Sequence, residues 1–103
     1  MLRVNIAYSV NGVPIRLTAE RWYHIVENHD DVAGHYDDVL DIIENPDFIL
    51  RGYSGSLIAI RGTGRNSYLG VIYKELSTTD GFVISAYFTS KFNRKQIIWR
   101  RER

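Results

Sequence analysis

The sequence predicts an α+β protein in which two N-terminal helices pack on an antiparallel sheet of four or more strands, in two layers. Apolar residues recur with the period of a helix between residues 18 and 44, and with the period of a strand from residue 47 onward. The chain has 103 residues, of which 45% are apolar, enough for one hydrophobic core. Residues 1–103 are therefore predicted to form a single domain.

A hairpin and a helix are predicted first. The stretch "LRVNIAYSVNGVPIRL" indicates two short strands around Asn11-Gly12, a pair favoured in type I′ turns. Thr18 suits a helix N-cap, and Glu20 lies in the first turn, where the helix dipole favours an acid. Apolar residues at helical spacing continue the helix to about His29, and "DDVAGHYDD" then interrupts the pattern.

A second helix and four strands follow. Apolar spacing predicts a helix from about Tyr36 to Glu44, and Asn45-Pro46 ends it. The segments "FILRGYS", "SLIAIRG", "SYLGVIYKEL" and "GFVISAYFTS" read as strands separated by short turns, which indicates an antiparallel meander. The tail "KFNRKQIIWRRER" fits either the end of a strand or a short helix.

Composition excludes some kinds of site and indicates a possible ligand. With no cysteine, disulfides and thiolate metal sites are excluded. No apolar run approaches the ~18 residues of a membrane helix, and no signal segment is evident, so we expect a cytoplasmic protein that does not enter membranes. Residues 1–47 hold nine acids against three arginines, whereas residues 48–103 hold ten bases against three acids. Such polarity suits a basic surface for a polyanion, or simply solvated acidic helices.

Two histidines on the first helix are candidate catalytic residues. At about 100° per residue, His29 falls at the C-terminal end of the core-facing stripe, and His24 points almost opposite. The helix carbonyls with Asp30 and Asp31 favour an imidazolium at position 29, which suits general acid work or contact with a phosphate. The structural alternatives are that His29 caps the helix and that His24 is an ordinary surface residue.

A metal site is a further alternative. His24, His29, Asp30 and His35 could supply ligands, but the first two lie five positions apart, about 140° around a helix, which does not suit one ion. We therefore predict no metal and no cofactor.

Basic and aromatic residues of the strands could meet a phosphate. If the strands face the same way, strand alternation places Arg51, Lys74, Tyr87 and Thr89 on one surface. RNA cleavage without a metal needs a base, cations for the crowded phosphorane and an acid for the leaving oxygen, and a tyrosine can stack on an unpaired base. The alternative is that these residues are solvated strand positions.

Further contacts to RNA are predicted in a turn and in the tail. The segment "RGTGRNS" reads as a hairpin turn in which Arg61 and Arg65 could clamp RNA. The tail carries six bases, including Lys91 and Arg94, interleaved with two aromatic residues, which is a footprint for polyanions.

Four segments together resemble a known nuclease group. The stretches "LTAERWYHIVENH", "YDDVLDIIENPDFILRG", "YLGVIYKE" and "VISAYFTSK" resemble the phage-associated branch of the barnase–EndoU–colicin–RelE nuclease superfamily, over residues 16 to about 99. The resemblance implies a metal-independent endoribonuclease fold, often a toxin paired with an antitoxin. It points to His24, His29, Arg51, Lys74 and Thr89 as site residues. One departure is that Asp30-Asp31 follows the histidine where proline is common in such families.

The sequence thus predicts an RNase-like protein that cleaves RNA to a 2′,3′-cyclic phosphate. In this hypothesis His29 is the acid or base, with His24 second, Lys74 and Arg51 stabilise the phosphorane, and Thr89 and Tyr87 position the substrate. Two other hypotheses stay open: a non-catalytic module of the same fold that binds RNA or protein, and an interaction protein whose acidic helix faces contact a partner.

Overall fold

The computed structural model describes residues 4–102 and confirms an α+β fold with two helices and a sheet of seven strands. The helices are α1 (Ala19–Asn28) and α2 (Tyr36–Glu44). The strands are β1 (Val4–Tyr8), β2 (Pro14–Thr18), β3 (Phe48–Arg51), β4 (Leu57–Gly64), β5 (Ser67–Glu75), β6 (Gly81–Thr89) and β7 (Ile97–Arg100). The Leu2–Arg3 part of the first predicted segment lies outside the described residues. Within residues 4–102, neither helix is long and apolar enough to cross a membrane.

Local signals determine where the helices begin and end. The Oγ1 of Thr18 accepts a hydrogen bond from the Arg21 N–H at 3.0 Å, so the predicted N-cap is confirmed. His29 is the C-cap residue of α1, and its N–H donates to the Ile25 carbonyl at 2.8 Å. The helix α2 has the predicted bounds and ends at Asn45, because proline follows and disfavours helical backbone there.

The sheet order β1-β2-β6-β5-β4-β3-β7 differs from a plain meander at both edges. β3 to β6 form the predicted antiparallel meander. The hairpin β1–β2 joins it through parallel pairing of β2 with β6, at Ile15–Gly81 and Arg16–Phe82, so the sheet is mixed. The tail supplies β7, which pairs with β3 at the other edge and settles the choice between strand and helix there.

The first hairpin turn is not the predicted type I′ turn. That turn needs positive φ at both central residues, but between β1 and β2 only Gly12 has it, with φ +76°. The Gly12 N–H donates to the Ser9 carbonyl, and the Ser9 N–H donates to the Val13 carbonyl. The chain therefore turns through a longer loop that needs a single left-handed residue.

The core lies between the helices and one face of the sheet. Its helical side includes Ile25, Val39 and Ile42, all buried, and on the sheet side Tyr73 is completely buried. The Tyr73 hydroxyl finds no hydrogen-bond partner within the described part of the chain. Burial raises the pKa of Tyr73 well above its ordinary value, and the nearby Glu75 carboxylate adds to the rise.

Replacing Tyr73 with phenylalanine is expected to raise the free energy of unfolding by about 1 kcal/mol, because it removes a buried hydroxyl that is not hydrogen-bonded. Urea denaturation followed by circular dichroism measures the change. Tyr53→Phe is the matched control, since that side chain is 94% exposed, and it should leave stability unchanged. A Tyr73→Phe protein less stable than the parent contradicts the expectation.

Candidate functional site

Strand register divides the sheet into a face that packs on the helices and a face that does not, here called the open face. In β5, Leu69, Val71 and Tyr73 belong to the core with the helices. Because side chains alternate along a strand, Gly70 and Lys74 belong to the open face. Pairing between strands extends this assignment across the sheet.

One row of residues crosses the open face from β6 to β7. Tyr87 pairs with Gly70, Gly70 with Ile60, Ile60 with Phe48, and Phe48 with Arg100. Four steps between neighbouring strands, at about 4.8 Å each, make this row about 19 Å long. It joins a phenol at one end to a guanidinium at the other.

His29 lies at the Tyr87 end of this row. The two ring centroids are 6.4 Å apart and the ring planes are inclined by 44°. β2 pairs with β6 only near Gly81 and Phe82, and α1, which follows β2 directly, contacts β6. The half-buried His29 at the end of α1 is thereby brought beside the open-face ring. The sequence predicts His29 at the C-terminal end of the core-facing stripe of the helix, and this rim position is consistent with its place beside Tyr87.

Tyr87 can occupy its position because residue 70 is a glycine. A Cβ on Gly70 would lie 3.0 Å from the Tyr87 Cζ and 3.1 Å from the Ile60 Cδ1. The ring therefore packs closely over the backbone of β5. Burial raises the pKa of the Tyr87 hydroxyl above its ordinary value. The phenol O–H can donate a hydrogen bond.

Adding a methyl group at Gly70 is expected to displace the Tyr87 ring, because the new Cβ would lie 3.0 Å from the Tyr87 Cζ. NMR spectra of the Tyr87 ring protons compare Gly70→Ala with the parent protein, and we expect these signals to shift. Gly64→Ala is the matched control, because a Cβ there meets nothing within 4 Å. Unshifted Tyr87 ring signals in a folded Gly70→Ala protein contradict the close packing of the ring over β5.

Lys74 lies on the open face, as predicted, but away from His29. It lies four residue steps along β5 from Gly70, about 13 Å. Its Cε lies 3.8 Å from the position of a Cβ on Gly55, in the turn between β3 and β4. The ammonium group thus belongs to the opposite end of the open face.

The strand register does not support the prediction that Arg51 shares a face with Lys74. Arg51 pairs with Leu57, which in turn pairs with the core residue Tyr73. Arg51 is the last residue of β3 and lines a groove with Ile58, Asn93 and Gln96. Val83 is buried in the core, although strict alternation would place it on the same face as Tyr87. A bulge in the β5–β6 pairing shifts the alternation there, which the sequence pattern does not reveal.

His24 and Thr89 are engaged locally. The His24 side chain is 59% exposed, and its Nδ1 lies 3.7 Å from the Glu27 carboxylate on the outside of α1. Thr89 lies on the open face opposite Tyr68, but its hydroxyl donates to the Lys91 carbonyl at 2.7 Å and holds the turn after β6. Neither side chain is shown in contact with His29.

The two arginines of the predicted clamp are separated. Arg61 forms an ion pair with Asp41 of α2 on the helix-facing side, and this hydrogen bond holds the pKa of Asp41 below its usual value. Arg65 lies in the exposed turn between β4 and β5, where Asn66 takes a positive φ of 55°. Only Arg65 is therefore free to reach a ligand beyond this end of the sheet.

The connection from β6 to β7 crosses the open face. The Phe92 ring centroid lies 5.0 Å from that of Tyr68 and 5.5 Å from that of Phe48. The Arg94 guanidinium lies over Phe92 at 4.8 Å from the ring centroid, and the neighbouring Lys91 is exposed. The basic and aromatic alternation of the tail thus forms a surface cluster on the same face as Tyr87.

His35, which the sequence suggests only as a possible metal ligand, has contacts of its own in the structure. Its Nδ1 lies 2.8 Å from an Asp38 carboxylate oxygen, and its ring meets that of Phe88 edge-on at 5.0 Å. Phe88 packs against the core whereas Tyr87 lies on the open face, so His35 and His29 contact residues on opposite faces of β6. In the described range 4–102, no three His, Asp or Glu side chains are grouped to hold a metal ion.

Comparison with protein families, with curated proteins and with solved structures finds no match for this chain. The features brought together are the His29–Tyr87 pair, the aromatic rings of the open face and the basic residues that lie over them. Lys74, Arg51 and Arg61 are not part of that group.

Proposed function

We propose that the protein is a metal-independent endoribonuclease-like protein that holds single-stranded RNA on the open face and cleaves it beside His29 and Tyr87. The observation that carries the proposal is the approach of these two rings, 6.4 Å apart, at one end of the row that ends in Arg100. An imidazole and a protonated phenol are a base and an acid within reach of one phosphodiester.

The reaction needs one proton removed and one delivered. The ribose 2′-oxygen attacks the adjacent phosphorus while neutral His29 accepts its proton, and a 2′,3′-cyclic phosphate forms. The bond from phosphorus to the 5′-oxygen breaks, and the leaving oxygen takes a proton from the Tyr87 hydroxyl. Each such proton transfer contributes about 10²–10⁴-fold to the rate.

The open face has the composition that single-stranded RNA requires. The rings of Tyr68 and Phe92 lie on it and offer edges and faces to unpaired bases. Arg94 and Arg100 supply positive charge for the phosphates, whereas most acids of the chain belong to the helical half. Charge therefore favours RNA on the open face over the helical side.

The experiment is incubation of the purified protein with total RNA or tRNA in EDTA. We expect cleavage, with products that end in a 2′,3′-cyclic phosphate, because no step uses a metal ion. RNA that stays intact over the incubation contradicts the enzymatic proposal. Products with 3′-hydroxyl ends contradict the proposed reaction.

A second candidate is an RNA-binding module without chemistry. It is favoured by the separation of Lys74 and Arg51 from His29, which leaves no strand cation shown beside the phosphate to be cleaved. This candidate predicts salt-dependent RNA affinity that survives His29→Ala and is accompanied by no cleavage in EDTA.

A toxin role with an antitoxin partner extends the enzymatic proposal. Cleavage of cellular RNA would stop growth of a host that produces the protein, and a co-produced inhibitor would restore it. Expression of the protein in a bacterial host, with and without any small acidic protein encoded beside it, measures this. Normal growth on expression of the cleaving protein alone contradicts the toxin role.

A further inference from the structure

The Phe48 ring is contacted by two guanidinium groups. The Cζ of Arg94 is 5.4 Å from the Phe48 ring centroid, and the Cζ of Arg100 is 5.6 Å from it. Arg94 comes from the connection after β6, whereas Arg100 is the cross-strand partner of Phe48 in β7. Two neighbouring parts of the tail thus place like charges against an aromatic ring from the distant strand β3.

The carboxylate of Asp47, next to Phe48 in sequence, already has other partners. Asp47 accepts a hydrogen bond from the Gly62 N–H at 3.0 Å, and its carboxylate lies 3.2 Å from the Arg101 guanidinium. Within residues 4–102, neither Arg94 nor Arg100 forms an ion pair with a carboxylate. In this range both guanidinium groups lie over aromatic rings instead.

Both side chains are exposed and held by aromatic contact, which leaves the N–H donors at the guanidinium edge free. An arginine fork can bind two oxygens of a phosphate group with two parallel hydrogen bonds, and Arg94 and Arg100 are both held on the Phe48 ring. A cavity of about 530 Å³ opens beside Arg100, lined by Asp47, Phe48, Arg100 and Arg101.

We infer that Arg94 and Arg100, seated on Phe48, form an anchoring site for one phosphate of the RNA backbone, distinct from the cleavage position. The inference rests on the proposed function for the identity of the ligand as RNA. The anchor lies at the far end of the open-face row, about 19 Å from Tyr87 across four strand steps. An RNA chain of several nucleotides reaches both positions, and a dinucleotide does not.

If the anchor exists, these arginines should matter for binding long RNA and should not affect the cleavage step itself. For long single-stranded RNA, Arg94→Gln/Arg100→Gln should raise KM about tenfold with unchanged kcat, and a dinucleotide substrate should show no change. On the His29→Ala background, the slope of log affinity against log salt should fall by about one, as for the loss of one phosphate contact.

The matched control is Arg21→Gln/Arg51→Gln, which removes the same net charge from two exposed positions outside the anchor. Equal weakening by the two double variants indicates a general charge effect and overturns the anchor. Arg94→Lys/Arg100→Lys, which keeps the charge and loses the planar forks, should show a partial loss of affinity. Circular dichroism of each variant checks that the fold is intact.

A second measurement does not depend on RNA. NMR signals of the arginine Nε–H groups, followed during titration with inorganic phosphate, should shift at Arg94 and Arg100 before other arginines. Absence of such shifts overturns the anchor even where RNA is cleaved. Conversely, if the protein cleaves RNA and its anchor variants have the same KM as the parent, the anchor is refuted and the proposed function stands.

Discussion

Replacing His29 with alanine is expected to slow RNA cleavage by about 10²–10⁴-fold, the usual contribution of one acid–base group. The imidazole lies beside the Tyr87 ring on the open face, where the substrate is proposed to bind. The fold should survive the change, because His29 stabilises the end of α1 through its backbone N–H, which alanine keeps. Initial cleavage rates at matched protein concentration measure the effect.

His24→Ala is the control for that experiment. His24 is on the same helix, but it is exposed on the outside and contacts Glu27. Its variant should cleave RNA at the parent rate. Equal losses for the two variants would show that neither histidine acts at a defined site, and full activity of His29→Ala would remove the proposed base.

Gly81→Ala is expected to have the largest effect on stability, a loss of about 3 kcal/mol in the free energy of unfolding. A Cβ on Gly81 would lie 2.6 Å from the Lys74 carbonyl oxygen and 2.6 Å from the Ile15 Cδ1. The carbonyl belongs to the backbone of β5, so it cannot move without disturbing the pairing of β5 with β6. Gly81 also pairs with Ile15, where the hairpin joins the sheet.

Chemical denaturation of Gly81→Ala and Gly34→Ala measures this difference. Gly34 lies in a loop where a Cβ meets nothing within 4 Å, so its variant should unfold at the parent denaturant concentration. If the two variants are equally stable, the close packing of Gly81 is not a determinant of the fold.

Elements that depend on neighbouring residues could be predicted from the sequence. Thr18 supplies an N-cap, and Asn45-Pro46 stops α2, so both helices have nearly the predicted bounds. The alternation of apolar residues likewise indicated β3 to β6 and their antiparallel order. These signals act within a few residues, which is why a single sequence reveals them.

Features that depend on distant pairing could not be predicted. Nothing local in β2 indicates that it pairs in parallel with β6, and the bulge opposite Tyr73 is set by packing of both strands. Without the register, alternation alone cannot assign Arg51 to a face of the sheet. The ion pair of Arg61 with Asp41 depends in turn on how α2 lies over β4.

The candidate site shows the same division. The rim position of His29 follows from helical spacing alone, but its neighbour proves to be Tyr87 and not a cation. The basic and aromatic alternation of the tail predicted a surface for polyanions. The contact of Phe48 in β3 with two arginines of the tail could not be predicted, because it depends on the strand order.

The most direct test is an NMR titration of the His29→Ala protein with a single-stranded RNA oligonucleotide. We expect the largest amide shifts along the open-face row, at Tyr87, Gly70 and Phe48, with α1 and α2 otherwise little changed. Shifts confined to the acidic outer surfaces of the two helices, or none at all, would contradict RNA binding on the open face and with it the proposed function.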